Sequence, residues 1–566
     1  MMMATQTFEK PGPGSWAIDR SHCDRPRVRF LHGMEEAYAD GFRNGFRKYG
    51  MLLDTIELAH VHGFPYMCIR PVGAPPEPKG TPPKLVFKLL TWLHPEIRRR
   101  NRRAEEVFAT KAWKHDVAEF HDEFFPWLKD RLGALQAVAL GELSDEDLLR
   151  HVDEVCEVMQ RSFHHHFSLS PSYMVVVGDF MAHAAAWTGA NTLEVLEVFR
   201  GASPHSVDGP ELVAAVVAAL REDSVARAAV EADGDPGAVL ASLREHEGEV
   251  GRATRAWLDV VGQRIFTGYD LDALTGLEAP GALIKCLRAR LDKPAGSDRA
   301  AKGKAALARL RARVPAEHHE TFDELFESAR EIYGLRDAHS SACEAWTLGV
   351  VRVAALEAGR RLVERDLVAA AEHVLELSQS ELRALFVDGN GPSPEQIVAR
   401  WKARTDLRAA EAPDVLGPPP GDPPPTDWLP PAAARLQRAA DAYLAAMFGE
   451  REATDKAPDA EVVRGLGASP GTYVGTARII DGPEDFTRLQ PGDVLVATIT
   501  TPAYNVLLPL LGGVVTDRGG LLSHPAIVTR EYGIPGVVGT LNATKKIPDG
   551  ARVEIDGTAG TVRVLR

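Results

Sequence analysis

This sequence is poor in cysteine and in long apolar runs. Its five cysteines, Cys23, Cys68, Cys156, Cys286 and Cys343, are scattered, with no CxxC pair. That argues against a cysteine-built zinc site and for a reducing, cytoplasmic setting. No apolar stretch approaches the roughly 20 residues needed to span a bilayer. The opening MMMATQTFEKPGPG carries no signal-peptide core. A Gly-x-x-x-x-Gly-Lys-Ser/Thr phosphate loop is also missing. An overall basic charge is lacking too: the formal net charge is −14. From Glu461 onward 10 basic and 10 acidic residues balance, so the earlier part, with 55 basic and 69 acidic, holds the whole excess. An acidic body with a neutral tail excludes general nucleic-acid binding.

What is present suits a globular chain: 45% hydrophobic and 25% charged residues over 566 positions, enough for about three to four domains. Residues 1–410 read mainly as helix. Between Thr347 and Glu364 the apolar positions Leu348, Val351, Ala355 and Leu362 recur near helical spacing, with Arg352, Glu357, Arg360, Arg361 and Glu364 left for the opposite face. Leu212–Val230 has a similar habit, and Trp113, Phe120, Phe124, Trp127 and Leu128 form a stripe expected in the core. In the first ~90 residues, Gly63-Phe-Pro-Tyr-Met67 and the prolines from Pro71 to Pro83 break any helix. A short strand or extended segment, followed by a Pro-rich loop, is expected there. The basic run Arg98–Arg103 reads as a solvated helix face, with a docking patch for an acidic partner as the alternative.

Proline density at 411–430, EAPDVLGPPPGDPPPTDWLP, marks a stiff extended spacer. A helix from about Ala432 to Phe448 and a polar stretch, Gly449 to Pro458, follow it, so residues 411–460 are expected to form a swivel linker. From 461 to 566 the pattern changes to short β-branched runs between Gly and Pro turns: Tyr473–Ile480, Val494–Thr498, Gly513–Thr516, Gly536–Val538, Arg552–Ile555 and Thr561–Leu565. One helix, His524–Tyr532, interrupts them. The fold class expected is therefore multidomain: a large mainly helical domain followed by a small α/β domain.

Chemistry concentrates around His524. A strand, Gly513–Thr516, leads into paired glycines, Gly519 and Gly520. Ser523 fits as helix N-cap, Pro525 is tolerated in the first turn, and Gly533 ends the helix. His524 thus lies beside the amides of a helix start, where the dipole attracts phosphoryl oxygens and disfavours a positive ring. The glycines let backbone approach a phosphate. The alternative for a lone histidine is that it merely caps a turn.

The segment GGLLSHPAIVTREYGIPGVVG resembles the phosphohistidine, or mobile, domain of the phosphoenolpyruvate-utilising enzyme family. GLGASPGTYVGTARII upstream is similar to that domain's first hairpin, and DGARVEIDGTAGTVRVL to its closing one. The resemblance implies a swivelling domain phosphorylated on His524, with Gly519, Gly520, Ser523 and Arg530 about the phosphate. The family often has Thr where Leu522 stands, so phospho-threonine regulation is not expected. Pro525 replaces a common Ala. Weaker similarity covers Asp19-Arg-Ser-His-Cys-Asp-Arg-Pro26, Glu357–Arg365 and Val374–Leu382, and is to the acceptor-binding region of rifampicin phosphotransferase-like members. An ATP-grasp block before residue 15 and a barrel after the histidine domain are both missing. That layout is like the histidine subunit of phenylphosphate synthase. It implies an ATP-grasp partner subunit of the phosphoenolpyruvate synthase N-terminal type, holding ATP and Mg²⁺, with no cofactor tightly bound to this chain.

In the helical body, His164, His165 and His166 point about 100° apart on a helix, which speaks against a three-histidine metal site. One of them is a candidate general base, and Arg336 a candidate phosphoryl clamp. The expected function is phosphoryl transfer through His524 to a small-molecule hydroxyl, an alcohol or phenol. The alternatives are transient phosphorylation that drives dehydration or ring closure, and a non-catalytic ligand-binding relative.

Overall fold

A computed structural model describes residues 7–20, 23, 25–77, 80–202, 210–265, 268–291, 299–449, 462–481, 483–500, 504 and 507–565. The chain is a multidomain protein with a large helical region and a small C-terminal α/β domain. It divides into two compact units. The first comprises Met1–Tyr173, Tyr269–Asp272 and Ala342–Arg438; the second comprises Met174–Gly268, Ala273–Ser341 and Ala439–Arg566.

The first unit holds a four-stranded sheet where the sequence led to the expectation of one short strand or extended segment in a mainly helical region. Its strands are β1 (Trp16–Ile18), β2 (Leu53–Val61), β3 (Phe64–Pro71) and β4 (Val415–Leu416), in the order β2-β3-β1-β4. The residues read as helix breakers build a hairpin instead. His62 and Gly63 take φ of 51° and 81°, the conformation of a tight hairpin turn. A Cβ at Gly63 would lie 2.7 Å from Pro26. Trp16, Phe64, Tyr66, Cys68, Ala412 and Leu416 share one small core. Part of the Pro-rich stretch is thus stitched into this sheet. The Arg20 guanidinium donates to the carbonyls of Ala409 and Ala412, and the Tyr66 hydroxyl donates to that of Pro413 at 2.9 Å.

The helix Glu35–Tyr49 packs on the sheet and buries Gly41, Gly45, Phe46 and Tyr49. Its two glycines let it approach the helix Asp145–Thr188 closely. A Cβ on Gly41 would stand 2.6 Å from the His164 carbonyl oxygen, and one on Gly45 2.5 Å from that of Ser168. This approach brings the aromatic residues of both helices together.

Two charge patterns resolve differently from a simple amphipathic reading. Arg100, in the helix Pro95–Thr110, is 1% exposed; it donates to the carbonyls of Met51 and Leu53 and to Glu96. Arg103 donates to the Lys48 carbonyl, while Arg98 and Arg102 remain exposed. In the helix Thr347–Val363 the expected core residues Leu348, Val351, Ala355 and Leu362 are buried, but so are Arg352 and Arg361. Arg352 donates to the Leu271 carbonyl, and Arg361 pairs with Glu357 and Asp145. Pairing every buried guanidinium lets the helix bury both faces.

The second unit contains eight described strands: β5 (Val462–Arg464), β6 (Leu466–Ser469), β7 (Thr472–Ile479), β8 (Val494–Ala497), β9 (Gly513–Thr516), β10 (Gly536–Val538), β11 (Arg552–Asp556) and β12 (Thr561–Val564). They form one sheet in the order β5-β12-β11-β7-β8-β9-β10-β6, parallel from β7 through β10. β8 and β9 are buried along their whole length, as parallel strands covered on both faces must be. Alternation then sorts the side chains. Val494, Val496 and Val515 face a core with Val537, Ile547 and Ile555. Leu495, Ala497 and Val514 face another, shared with Leu220, Trp257, Leu283 and Leu287 of the helices Pro210–Glu222, Glu249–Val261 and Pro280–Leu291. The α/β domain is therefore covered by helices from the middle of the chain. Lys285 reinforces this by donating to the carbonyls of Phe486 and Leu489 at 3.0 Å each.

Candidate active site

The helix His524–Tyr532 follows β9 through the glycine-rich loop, so its start lies past the carboxyl end of a parallel strand, where ligands of open α/β sheets bind. The Ile527 amide is the first to close a helical bond, onto the Ser523 carbonyl at 3.0 Å. Ser523 occupies the N-cap with extended backbone, yet its hydroxyl does not cap the helix; it donates to the Gly520 carbonyl at 2.6 Å. At the other end Gly533 adopts φ 65°, and the Ile534 amide donates to the Thr529 carbonyl at 3.1 Å, closing a Schellman turn.

His524 is half-buried. Its Nδ1 lies 3.1 Å from the hydroxyl of Thr500, which is 2% exposed. That contact fixes the ring's rotation, and a proton on Nδ1 would leave the lone pair on Nε2. Thr500 was not among the expected site residues. No local sequence signal marked it: it follows β8, and only the parallel pairing of β8 with β9 brings it to the same sheet edge as the histidine loop.

The paired glycines serve the loop's own anchorage. The Gly520 and Leu522 amides donate to the carbonyls of Met447 and Ala446, at 3.1 and 3.0 Å, at the end of the helix Pro431–Phe448. A Cβ on Gly520 would stand 2.4 Å from the Ala446 carbonyl oxygen and 2.6 Å from that of Met447. Gly519 has φ 108°, and a Cβ there would meet Ser523 Oγ at 2.6 Å. Arg530, 3% exposed, directs its guanidinium to the carbonyls of Ala468 and Leu521, at 3.0 and 2.8 Å. It braces the loop from inside. Arg336, on the helix His319–Ser340, donates to the Leu522 carbonyl at 2.6 Å and lies 3.3 Å from Met447 Sδ. Four of the expected residues thus gather about the histidine loop, and Arg336 reaches it from a helix nearly 190 positions earlier.

The three-histidine run separates as helical geometry requires. His164 is half-buried, with its pKa below the ordinary value through burial and His165, partly offset by Asp40. His165 stacks on Phe124 at 3.5 Å and places Nε2 3.0 Å from Glu119, whose carboxyl it holds below the usual range against the effect of burial. His166 is 7% exposed, with Nε2 3.9 Å from Glu344. All five cysteines are free thiols. Among the described residues no helix is long and apolar enough to cross a membrane.

The small α/β domain thus presents a histidine at a helix start past a parallel strand, on a loop anchored through the Gly520 and Leu522 amides. Residues 489–560 match the family model of the PEP-utilising enzyme mobile domain. Residues 165–337 match the rifampicin phosphotransferase fourth domain. Among curated proteins the chain is similar to chondramide synthase of Chondromyces crocatus, 30% identical over 328 residues, covering 55% of this chain and 8% of that one. An uncharacterised phosphotransferase of Bacillus subtilis is 28% identical over 244 residues, 43% of this chain and 27% of that protein. Rifampicin phosphotransferase of Bacillus cereus is 46% identical over 106 residues, 19% of this chain and 12% of its own length. The chain spans between 8% and 27% of the length of these relatives.

Proposed function

We propose that this chain is a phosphotransferase component that carries a phosphoryl group on His524 and delivers it to a small-molecule hydroxyl. The observation behind this reading is the placement of His524: first residue of a helix at the carboxyl edge of a parallel sheet, its ring oriented by Thr500. Amides at a helix start suit phosphoryl oxygens. Covalent transfer through histidine divides one difficult displacement into two easier ones. Gly519, Gly520, Ser523 and Arg530 shape the loop that would hold the phosphate.

The donor in this reading is ATP with Mg²⁺ on an ATP-grasp subunit, in the cytoplasm, the metal serving to neutralise phosphate charge. Names among the relatives, such as rifampicin phosphotransferase and probable phosphoenolpyruvate synthase, support a phosphoryl-transfer setting. The acceptor is taken to bind in the helical region, and residues 411–460 to act as the arm on which the histidine domain travels.

The test is radiolabelling. Wild-type protein phosphorylated by its donor should hold acid-labile, base-stable phosphate; His524→Ala should hold none while keeping its melting midpoint. Label persisting in that variant would remove His524 from the mechanism. Calorimetry of the isolated chain with Mg-ATP should show no tight binding. A micromolar dissociation constant would place the donor site on this chain instead.

A further inference from the structure

The segment Lys84-Leu-Val-Phe-Lys-Leu-Leu-Thr-Trp-Leu93 in the first unit folds as a ten-residue helix whose sidedness is reversed. At about 100° per residue, Trp92, Leu85, Leu89, Leu93, Val86 and Leu90 follow one another around the helix and fill a continuous arc of roughly 160°. A helix of a globular domain turns such an arc to the core. Here it faces outward. Leu85 is 83% exposed, Trp92 68%, Leu93 57% and Leu89 53%. Of the fourteen large apolar side chains exposed among the described residues, six sit on this one helix. Apolar residues exposed singly need no explanation, but a contiguous patch marks an interaction site.

The opposite side holds the helix in place. Thr91 is buried, and Phe87 packs on Trp428 with ring centroids 5.9 Å apart. Lys84 Nζ stands 2.8 Å from Asp427, and the Thr81 hydroxyl, just before the helix, donates to the Asp422 carbonyl at 2.8 Å. The Pro-rich stretch thus fastens the helix along its other edge and leaves the apolar arc uncovered.

Charge selects the partner. Between Lys84 and Arg103 lie seven basic residues and one acidic residue, Glu96, a local charge of +6 in a chain of net charge −14. Lys88 borders the apolar arc, and Arg98 and Arg102 are exposed on the helix Pro95–Thr110 that follows. A broad apolar arc with a tryptophan, edged by lysine and followed by exposed arginines, suits the headgroup boundary of an anionic lipid surface. Lipid needs no matching shape, so a convex helix serves as well as a groove. Ten helical residues span about 15 Å, half of a bilayer core, so such a helix lies on the surface and does not cross it. The acidic remainder of the chain is repelled by the same surface, which orients the approach. A second copy of the chain fits less well, because pairing two such faces would bring two stretches of like charge together.

We propose that the helix Lys84–Leu93 docks this chain on an anionic phospholipid surface. Trp92, Leu85, Leu89 and Leu93 enter the boundary between headgroups and acyl chains, and Lys88, Arg98 and Arg102 meet the lipid phosphates. The absence of a spanning segment excludes crossing a membrane and leaves lying on one open. This inference is independent of the carrier reading of His524.

The experiment is flotation of the full chain with phosphatidylcholine vesicles, with and without roughly 30% phosphatidylserine. The chain should float with the anionic vesicles and bind the neutral ones about tenfold more weakly or worse. Leu85→Ser with Leu89→Ser should weaken binding about thirtyfold, and each alone about sixfold, so that a folding defect in the double variant would not hide the effect. Arg98→Ser with Arg102→Ser should weaken it about twentyfold and flatten its dependence on salt. Val225→Ser, which removes a single apolar side chain 77% exposed on another helix, should bind as the wild type does. All these side chains are exposed, so each variant should keep the wild-type melting midpoint. No flotation, equal binding to neutral and anionic vesicles, or undiminished binding by the leucine variants would overturn the proposal. If the chain ignores vesicles but self-associates in sedimentation velocity, and the leucine variants abolish that association, the face is a contact between copies and the lipid assignment fails.

Discussion

The histidine loop of the second unit and the aromatic cluster of the first are held by opposite means. Around His524 the contacts are mostly with backbone carbonyls: Gly520 and Leu522 amides on Met447 and Ala446, Arg530 on Ala468 and Leu521, Arg336 on Leu522. In the first unit's aromatic cluster they are side chain to side chain, Tyr38 and Phe42 to Phe167, with the neighbouring His166 edge-on to Phe167. Backbone anchorage fixes position whatever the neighbouring residue types, and needs glycine where chains touch. A side-chain cluster holds only through the shapes of its residues and can change residue by residue.

That contrast can be broken in order of expected effect. Arg100→Met should cost the most, about 3 kcal/mol, because it removes one of the two arginines that pair with Glu96 and strips a buried donor from the Met51 and Leu53 carbonyls. It acts on the first unit alone, so the melting midpoint should fall while phosphate labelling of His524 at low temperature stays at the wild-type level. Reduced labelling in folded protein would show that the carrier loop depends on side-chain packing elsewhere.

Gly520→Ala should cost about 2 kcal/mol through overpacking, since the new methyl meets two carbonyl oxygens closer than 3.0 Å. It should also cut labelling at least tenfold, by pushing the loop off the helix Pro431–Phe448. Gly533→Ala, at φ 65° with Lys302 Nζ 3.7 Å away, is the control; it should cost about 1 kcal/mol and leave labelling intact. Equal labelling by both variants would mean that the Ala446 and Met447 contacts do not position His524.

The smallest effect is on acid stability. Burial tends to raise the pKa of Glu381, but Arg400, the Ser378 amide and Arg29 outweigh it and hold the carboxyl at about 2. A group depressed in the folded state stabilises above its unfolded pKa, near 4.3. That contribution should fade as pH falls from there through about 2. Glu381→Gln should flatten the acid limb of a pH–stability curve in this window and leave the limb above pH 6 unchanged. An unaltered acid limb would show that Glu381 contributes nothing to acid sensitivity.

Part of this could be read directly from the chain. Strand β9, the paired glycines, Ser523, Pro525 and Gly533 are local signals within about twenty positions, each a backbone preference that needs no distant partner. They located the helix His524–Tyr532 and the histidine at its start. The hairpin of β2 and β3 was missed because Gly63 and Pro65 signal a break without saying that the broken ends pair. Arg352 was placed on a polar face, but a carbonyl from residue 271 let it be buried. Thr500, 24 positions before His524, became visible only once strand order put both at one sheet edge.

The sequence by itself determined the histidine motif, the alternation of strands and turns after Val462, and the helical habit of most of the body, because dihedral preferences and hydrophobic period act over a few residues. Only the tertiary structure decided which helices cover the parallel sheet, that Gly520 faces a helix end, and that Tyr38, Phe42 and Phe167 meet. Those outcomes depend on shape matching and charge pairing between segments far apart in the chain, on which no local preference acts.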